Sequence, residues 1–151
     1  MKIRKMIPSD VPIAIALGHA MHEESYFNFL DFDESKLKRL WQNIEDMPTM
    51  FCAFVAESDG EVIGFFVGMC TEHWFGYDKV ACDLAVYIRT DKRGSTAAPR
   101  LIKAYEEWAW NTANAKEVHI GTSTNVNSER VKTLYQRLGY GDEAFFLRKR
   151  K

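Results

Sequence analysis

Cysteine is scarce and poorly placed for cross-linking. Cys52, Cys70 and Cys82 are an odd number, far apart, each inside an apolar strand-like run and none in a C-x-x-C spacing. That excludes a disulfide framework and makes metal ligation a distant second to buried thiols in a reducing compartment. An excess of one charge is also missing: 20 Lys and Arg face 21 Asp and Glu, a formal net charge of -1. No global cationic field is available to draw in nucleic acid. Long apolar runs are lacking as well. The N-terminal MKIRKMIPSDVPIAIALGHAM is basic and then apolar, but Pro8-Ser9-Asp10 and Pro12 interrupt it, and nothing reaches the ~20 residues of a membrane span. The expectation is a cytoplasmic protein with neither a membrane nor a nucleic-acid partner. Low-complexity tracts, repeats and linkers are absent too, so residues 1–151 are expected to form a single domain.

What is present is patterned. Lys2 to Ile7 can form a first strand, and Ser9 or Asp10 can cap a helix through about His22, with Pro12 tolerated in its first turn. Asp33 can cap a second helix, whose Leu37, Leu40, Trp41 and Ile44 recur at spacings of three and four while Lys36, Lys38 and Arg39 face outward. The apolar runs Phe51 to Glu57 and Val62 to Cys70 flank Asp59-Gly60, a pair suited to positive φ, and read as a hairpin. Val80 to Ile88 reads as a further strand, followed by a helix to about Ala113 and a short strand from Glu117 to Thr122. A last helix, Ser128 to Leu138, has Ser128 as its N-cap and Gly139 as its C′ residue, and Tyr140 to Arg148 is expected to add a terminal strand or strand pair. A hairpin meander mixed with helical crossovers predicts an α/β (α+β) fold with a mixed, mostly antiparallel central sheet and helices on both faces. A doubly wound Rossmann fold and an all-β barrel are excluded.

The corner between the long strand and its helix, IRTDKRGSTAAPRLI, concentrates small and basic residues. A helix N-terminus carries amides without intrahelical partners and a partial positive charge, both of which favour phosphate. Gly94 to Ala98 have little side chain to block close approach, and Arg89, Lys92, Arg93 and Arg100 add mobile positive charge. An ordinary capped helix with a solvated basic face would have the same composition, and the residues alone leave both readings open.

Two segments carry a family resemblance: V-Y-I-R-T-D-K-R-G-S-T-A-A, from Val86 to Ala98, with the pattern R-x-x-G/A-x-G/A after a strand, and V-N-S-E-R-V-K-T-L-Y-Q-R-L-G-Y, from Val126 to Tyr140, with L-Y-x-x-x-G-[FY]. Together with the element order they resemble the GNAT superfamily of acetyl-CoA-dependent N-acetyltransferases. The resemblance implies a coenzyme A pyrophosphate on the amides of Arg93, Gly94, Ser95, Thr96, Ala97 and Ala98. It implies a pantetheine arm paired with backbone at Tyr87 and Ile88 like an added strand, with Asn127 nearby. It also puts Tyr135 where family members protonate the coenzyme A sulfur. The chain departs from the family at two positions: the middle glycine is replaced by Thr96, and Pro99 removes one amide, although a proline in a first turn is preorganised. Tyr135 shares its helix with Val131, Leu134 and Leu138, so a buried aromatic with a satisfied hydroxyl is the competing reading.

Acetyl transfer to an amine needs a neutral nucleophile, oxyanion stabilisation and a proton for the thiolate. Asp83, an acid inside an apolar strand, is the candidate base; Glu72 and His73 lie where the hairpin strand ends, and a water relay is the alternative. In HAMHEESYFNF, where the family builds its acceptor pocket, Glu24 and Tyr26 would suit a cationic amine, as would Glu72 from the hairpin end. His19 and His22 are poor metal ligands without a third partner. The Arg148-Lys149-Arg150-Lys151 tail is expected to be frayed and solvated. The aromatic content leaves surface for a homodimer. Three readings follow: an acetyltransferase acting on a small-molecule or peptide amine by direct attack in a ternary complex, a catalytically weak module binding coenzyme A or a protein, and, last, a nucleic-acid binder.

Overall fold

The computed structural model describes residues 1–151. Its elements are β1 (Lys2–Lys5), α1 (Val11–Glu24), α2 (Glu34–Asp46), β2 (Phe51–Ser58), β3 (Glu61–Glu72), β4 (Lys79–Ile88), α3 (Ala97–Asn111), β5 (Glu117–His119) and α4 (Ser128–Arg137). The strands make one sheet in chain order; β1 to β4 run antiparallel and β5 joins β4 in parallel. The parallel joint needs a crossover, and α3 supplies it.

Local chemistry explains most boundaries. Asp10 is the N-cap residue of α1, and Pro12 falls in its first turn. Asp33 Oδ1 accepts from the amides of Ser35 at 2.7 Å and Lys36 at 3.2 Å, starting α2. The hairpin turn has Asp59 at φ 54° and Gly60 at φ 81°, the two positive values a type I′ turn requires. Arg4 holds β1 to its neighbours: it donates to both oxygens of Asp10, at 2.6 and 2.9 Å, and to Glu57 at 2.9 Å.

The two faces of the sheet are packed differently. Against α3 lies the larger core, in which Ile63, Phe66, Leu101, Ile102 and Tyr105 are almost wholly enclosed. The Phe66 and Tyr105 rings stack at 4.5 Å. Against α1 and α2 lies a smaller cluster of Leu17, Ala53, Val55, Phe65, Val67 and Tyr87. No residue of α2 is fully buried, although its apolar stripe faces this side.

One irregularity governs the rest. On β3 and β4, Val67 pairs with Ala85 but Gly68 pairs with Asp83, so Leu84 is an extra residue on β4. This β-bulge reverses which face each side chain takes. Ala81 belongs to the α3 core, whereas beyond the bulge Val86 and Ile88 do, and Tyr87 turns to the α1 side.

Four expectations are corrected. The terminal strand does not form: Phe145, Phe146 and Leu147 are 91%, 73% and 92% exposed, and no strand follows α4. The tail is not free either, because Arg148 lies 4.0 Å from the Tyr26 ring centroid and Arg150 3.6 Å from that of Phe29. Arg148 also donates to the Ser123 carbonyl at 2.6 Å. Finally, β5 stops at His119 rather than Thr122, and the N-cap of α4 is Asn127 at φ 51° rather than Ser128.

Gly68 lies under the Tyr105 ring, where a Cβ would come within 2.8 Å of it. Gly68→Ala is expected to destabilise the fold by about 1–3 kcal/mol, read as a lower Tm. Gly76→Ala, in a turn with no atom near the added methyl, should leave Tm unchanged.

Candidate functional site

The site begins where β4 and β5 part. Their ladder ends at Cys82 opposite His119. Two residues on, Asp83 Oδ1 accepts the Gly121 amide at 3.0 Å, and the Tyr135 hydroxyl donates to the Gly121 carbonyl at 3.3 Å. Gly121 thus joins the two candidate catalytic side chains at the base of a fork. Beyond it, residues 84–88 of β4 have no strand on their β5 side, and their backbone edge faces a cleft of about 970 Å³.

The environment separates the chemistry of the two groups. Asp83 is only partly enclosed, but loss of hydration around its carboxyl pushes the pKa up to about 6, against the lowering effects of the Gly121 amide and His119. Burial, and then the nearby Asp83 charge, push the Tyr135 phenol above its ordinary value. At neutral pH Asp83 is therefore largely an acceptor of protons and Tyr135 a donor.

The corner at the far end of β4 has the shape expected of it. Gly94 has φ 88°, the helix opens at Ala97, and Pro99 occupies the first turn, where its missing amide would have had no helical partner. Ser95 donates to the Lys92 carbonyl and Ala97 to the Ser95 hydroxyl, both at 3.4 Å, leaving the amides of Gly94, Thr96 and Ala98 without a protein acceptor.

The positive charge is arranged differently from the sequence expectation. Arg93 is tied down: it pairs with Glu24, donates to the Ile88 carbonyl at 3.1 Å and lies 5.4 Å from the Tyr87 ring centroid. Arg89 pairs with Asp91 and Glu61, and Arg100 donates to the Met1 carbonyl at 2.9 Å. The cation over the corner is Arg130 of α4, whose guanidinium lies 3.2 Å from where a Gly94 Cβ would be. Sequence reasoning missed it because α4 is remote from the corner in the chain; its only signal was a place on the same helix as Tyr135.

Other candidates are distributed unevenly. Tyr87, Ile88, Arg93, Gly94, Ser95, Ala98, Asn127 and Glu24 line the same cleft as Asp83 and Tyr135. Thr96 is exposed at the rim and Ala97 is buried beneath it. Tyr26 does not line the cleft; it packs on Phe27 and Phe29 under the arginines of the tail. Glu72 is not brought to the site, because the β3–β4 ladder continues to Glu72 opposite Lys79, at the end of the sheet remote from the fork. His19 meets Glu23 at 3.6 Å, and His22 contacts the Leu30 carbonyl at 2.8 Å.

A family model described as "Acetyltransferase (GNAT) family" matches residues 18–140. The chain belongs to the GNAT acetyltransferase family. Its fold is similar to that of AAC(6')-Iy, solved in complex with the bisubstrate analog CoA-S-monomethyl-acetylneamine, with a TM-score of 0.77 and 19% identity over 99% of this chain and 98% of that one. It is also similar to glucosamine-6-phosphate N-acetyltransferase from Arabidopsis thaliana, with a TM-score of 0.76 and 16% identity over 99% and 97% of the two chains. A third structure, ribosomal-protein-alanine N-acetyltransferase from Brucella melitensis, gives a TM-score of 0.73 and 16% identity over 99% of each chain. No curated protein matches the sequence. No helix of this GNAT chain is long and apolar enough to cross a membrane.

Asp83 binds its proton more tightly in the fold than in the unfolded chain, so between its ordinary value of 3.8 and about 6 the fold loses stability as pH rises. Asp83→Asn keeps an oxygen for the Gly121 amide and removes the charge. Urea melts should find the variant more stable than the parent at pH 7.5, with the difference vanishing near pH 4.

Proposed function

We propose that this GNAT protein transfers an acetyl group from acetyl-CoA to a primary amine by direct attack within a ternary complex. The observation that carries the reading is the fork: Asp83 and Tyr135 meet on Gly121. From there the open β4 edge leads to an amide-rich corner under Arg130.

The chain fits the donor at three places. Free amides at Gly94, Thr96 and Ala98, with the charge of Arg130, suit a diphosphate. The edge of β4 at Tyr87 and Ile88, which has no strand on its β5 side, suits an amide-bearing arm that adds to the sheet. When bound, the thioester supplies an electrophilic carbonyl and a thiolate leaving group. Asp83 takes the proton of the attacking amine, directly or through one water, and Tyr135 delivers a proton to the departing sulfur. No enzyme-bound acyl group is required.

A second reading is a weakly catalytic module, favoured by the engagement of Arg93 with Glu24 and by Thr96 and Pro99 in the corner. Binding of coenzyme A by calorimetry, without transfer to any amine in a broad panel, would select it. The reading also includes a cytoplasmic setting, since Cys52, Cys70 and Cys82 are all free and burial pushes the Cys52 thiol up to about 12. A homodimer is part of it as well, supported by exposed aromatics such as Trp74, Tyr77 and Phe145.

Tyr135→Phe is expected to lower kcat by about 10²-fold at unchanged acetyl-CoA affinity; a fully active Phe variant would take Tyr135 out of the mechanism. Gly94→Asp introduces a carboxylate at a φ of 88° where phosphate is to sit, and should weaken acetyl-CoA binding by at least about 10-fold. Unchanged affinity would move the diphosphate elsewhere.

A further inference from the structure

The cleft extends beyond the fork to the side of the sheet covered by α1 and α2, and that wall differs in character from the corner. Its lining is apolar and aromatic, with Met21, Phe27 and Phe32 at the end of α1 and beyond, Trp41 on α2, and Phe65 on the sheet. Leu37, Leu40, Trp41 and Ile44 form the inward stripe of α2, yet all remain only half-buried: Leu40, Trp41 and Ile44 pack on the smaller cluster, and all four also line the cleft. Gly18 helps keep that space open: it lies inside α1, and a Cβ there would meet nothing within 4 Å. Apolar surface left facing water in a preformed cavity is the usual mark of a ligand with an apolar body.

Charge supports the same assignment. The lining carries three arginines, Arg93, Arg130 and Arg137, but only two carboxylates, Glu24 and Asp83. Glu24 is neutralised by Arg93, which leaves Asp83 at the fork as the one carboxylate facing an incoming ammonium group. A polycation would have to bring several charges against an apolar wall, where each would lose hydration without a partner. A single amine on an apolar or aromatic body avoids this, its body between α1, α2 and the sheet and its nitrogen turned to the fork, where β4 and β5 part.

We infer that the acceptor is a monoamine carried on an apolar or aromatic body, seated against Trp41, Phe65 and the open face of α1 at Gly18. This deepens the acetyltransferase reading and rests on it. The test is a panel of 2-phenylethylamine, tryptamine, glycinamide, spermidine and kanamycin, followed both by acetyl transfer and by calorimetric binding to the coenzyme A-loaded protein. The aryl amines should exceed spermidine and kanamycin in kcat/KM by at least about 10-fold. Gly18→Leu, which fills the cleft and replaces a helix-interior glycine with a good helix former, should weaken 2-phenylethylamine binding by about 10-fold or more without lowering Tm. Trp41→Ala should act in the same direction. A preference for the polycations, or Gly18→Leu binding 2-phenylethylamine as the parent does, overturns the inference. So does a Gly18→Leu defect confined to hexanoyl-CoA, which would assign the apolar wall to a long acyl chain. If no amine is acetylated while 2-phenylethylamine still binds and Gly18→Leu weakens it, the transfer reading fails and the assignment of the apolar compartment stands.

Discussion

The parting of β4 from β5 is the constraint on which the site depends. A parallel pair held along its full length would have closed the edge of β4 and left neither a cleft nor a place for an extended ligand. Here the ladder stops at Cys82 and His119, and the connection is carried on by side chains, Asp83 and Tyr135, through the two backbone groups of Gly121. The bulge at Leu84 completes the arrangement. Without the extra residue, the alternation of β4 would put Asp83 and Tyr87 on one face; with it, Tyr87 packs under α1, and Asp83 lies on the side of the α3 core, to which Tyr135 belongs. A local insertion in one strand therefore decides which groups meet.

The two faces divide the work. The α3 side is densely packed, with Tyr105 stacked on Phe66 and leaving no room at Gly68, and it holds the helix N-terminus and the fork in fixed relation. Groups that must be placed to within fractions of an ångström are best mounted on such a core. The α1 and α2 side has the smaller cluster and a stripe that stays half-buried, so side chains there can differ without disturbing the sheet.

What the sequence could reveal follows the range of the interactions involved. The Asp33 cap, the Asp59-Gly60 turn and the Gly94 corner are set by neighbouring residues, and each was legible from spacing and residue type. The bulge at Leu84 left no local mark, since V-A-C-D-L-A-V-Y-I alternates no more clearly with it than without it. Arg130 over the corner and Arg93 on Glu24 are contacts between distant segments, which a count of nearby basic residues cannot find. The terminal F-F-L had the composition of a strand but stays exposed and pairs with none, and composition alone cannot supply the pairing.

The tail shows how a misread segment can matter to the site. Segment 25–30 carries Tyr26, Phe27 and Phe29, and its backbone is fixed to the far arm of the fork where the Tyr26 amide donates to the Thr124 carbonyl at 2.8 Å. Arg148 bonds that same arm at Ser123 while its guanidinium lies over Tyr26, and Arg150 covers Phe29. Arg148 thereby holds together the arm that follows β5 and the loop that follows α1, while Arg150 covers the loop alone. Cation–π contacts of this kind contribute about 0.5–1 kcal/mol each at exposed sites. That is too little to fold the domain but enough to bias how closely the loop sits on the arm. The basic C-terminus thus ties together two segments, the loop at Ser25 and Phe27 and the arm at Ser123 and Thr124, that line the cleft.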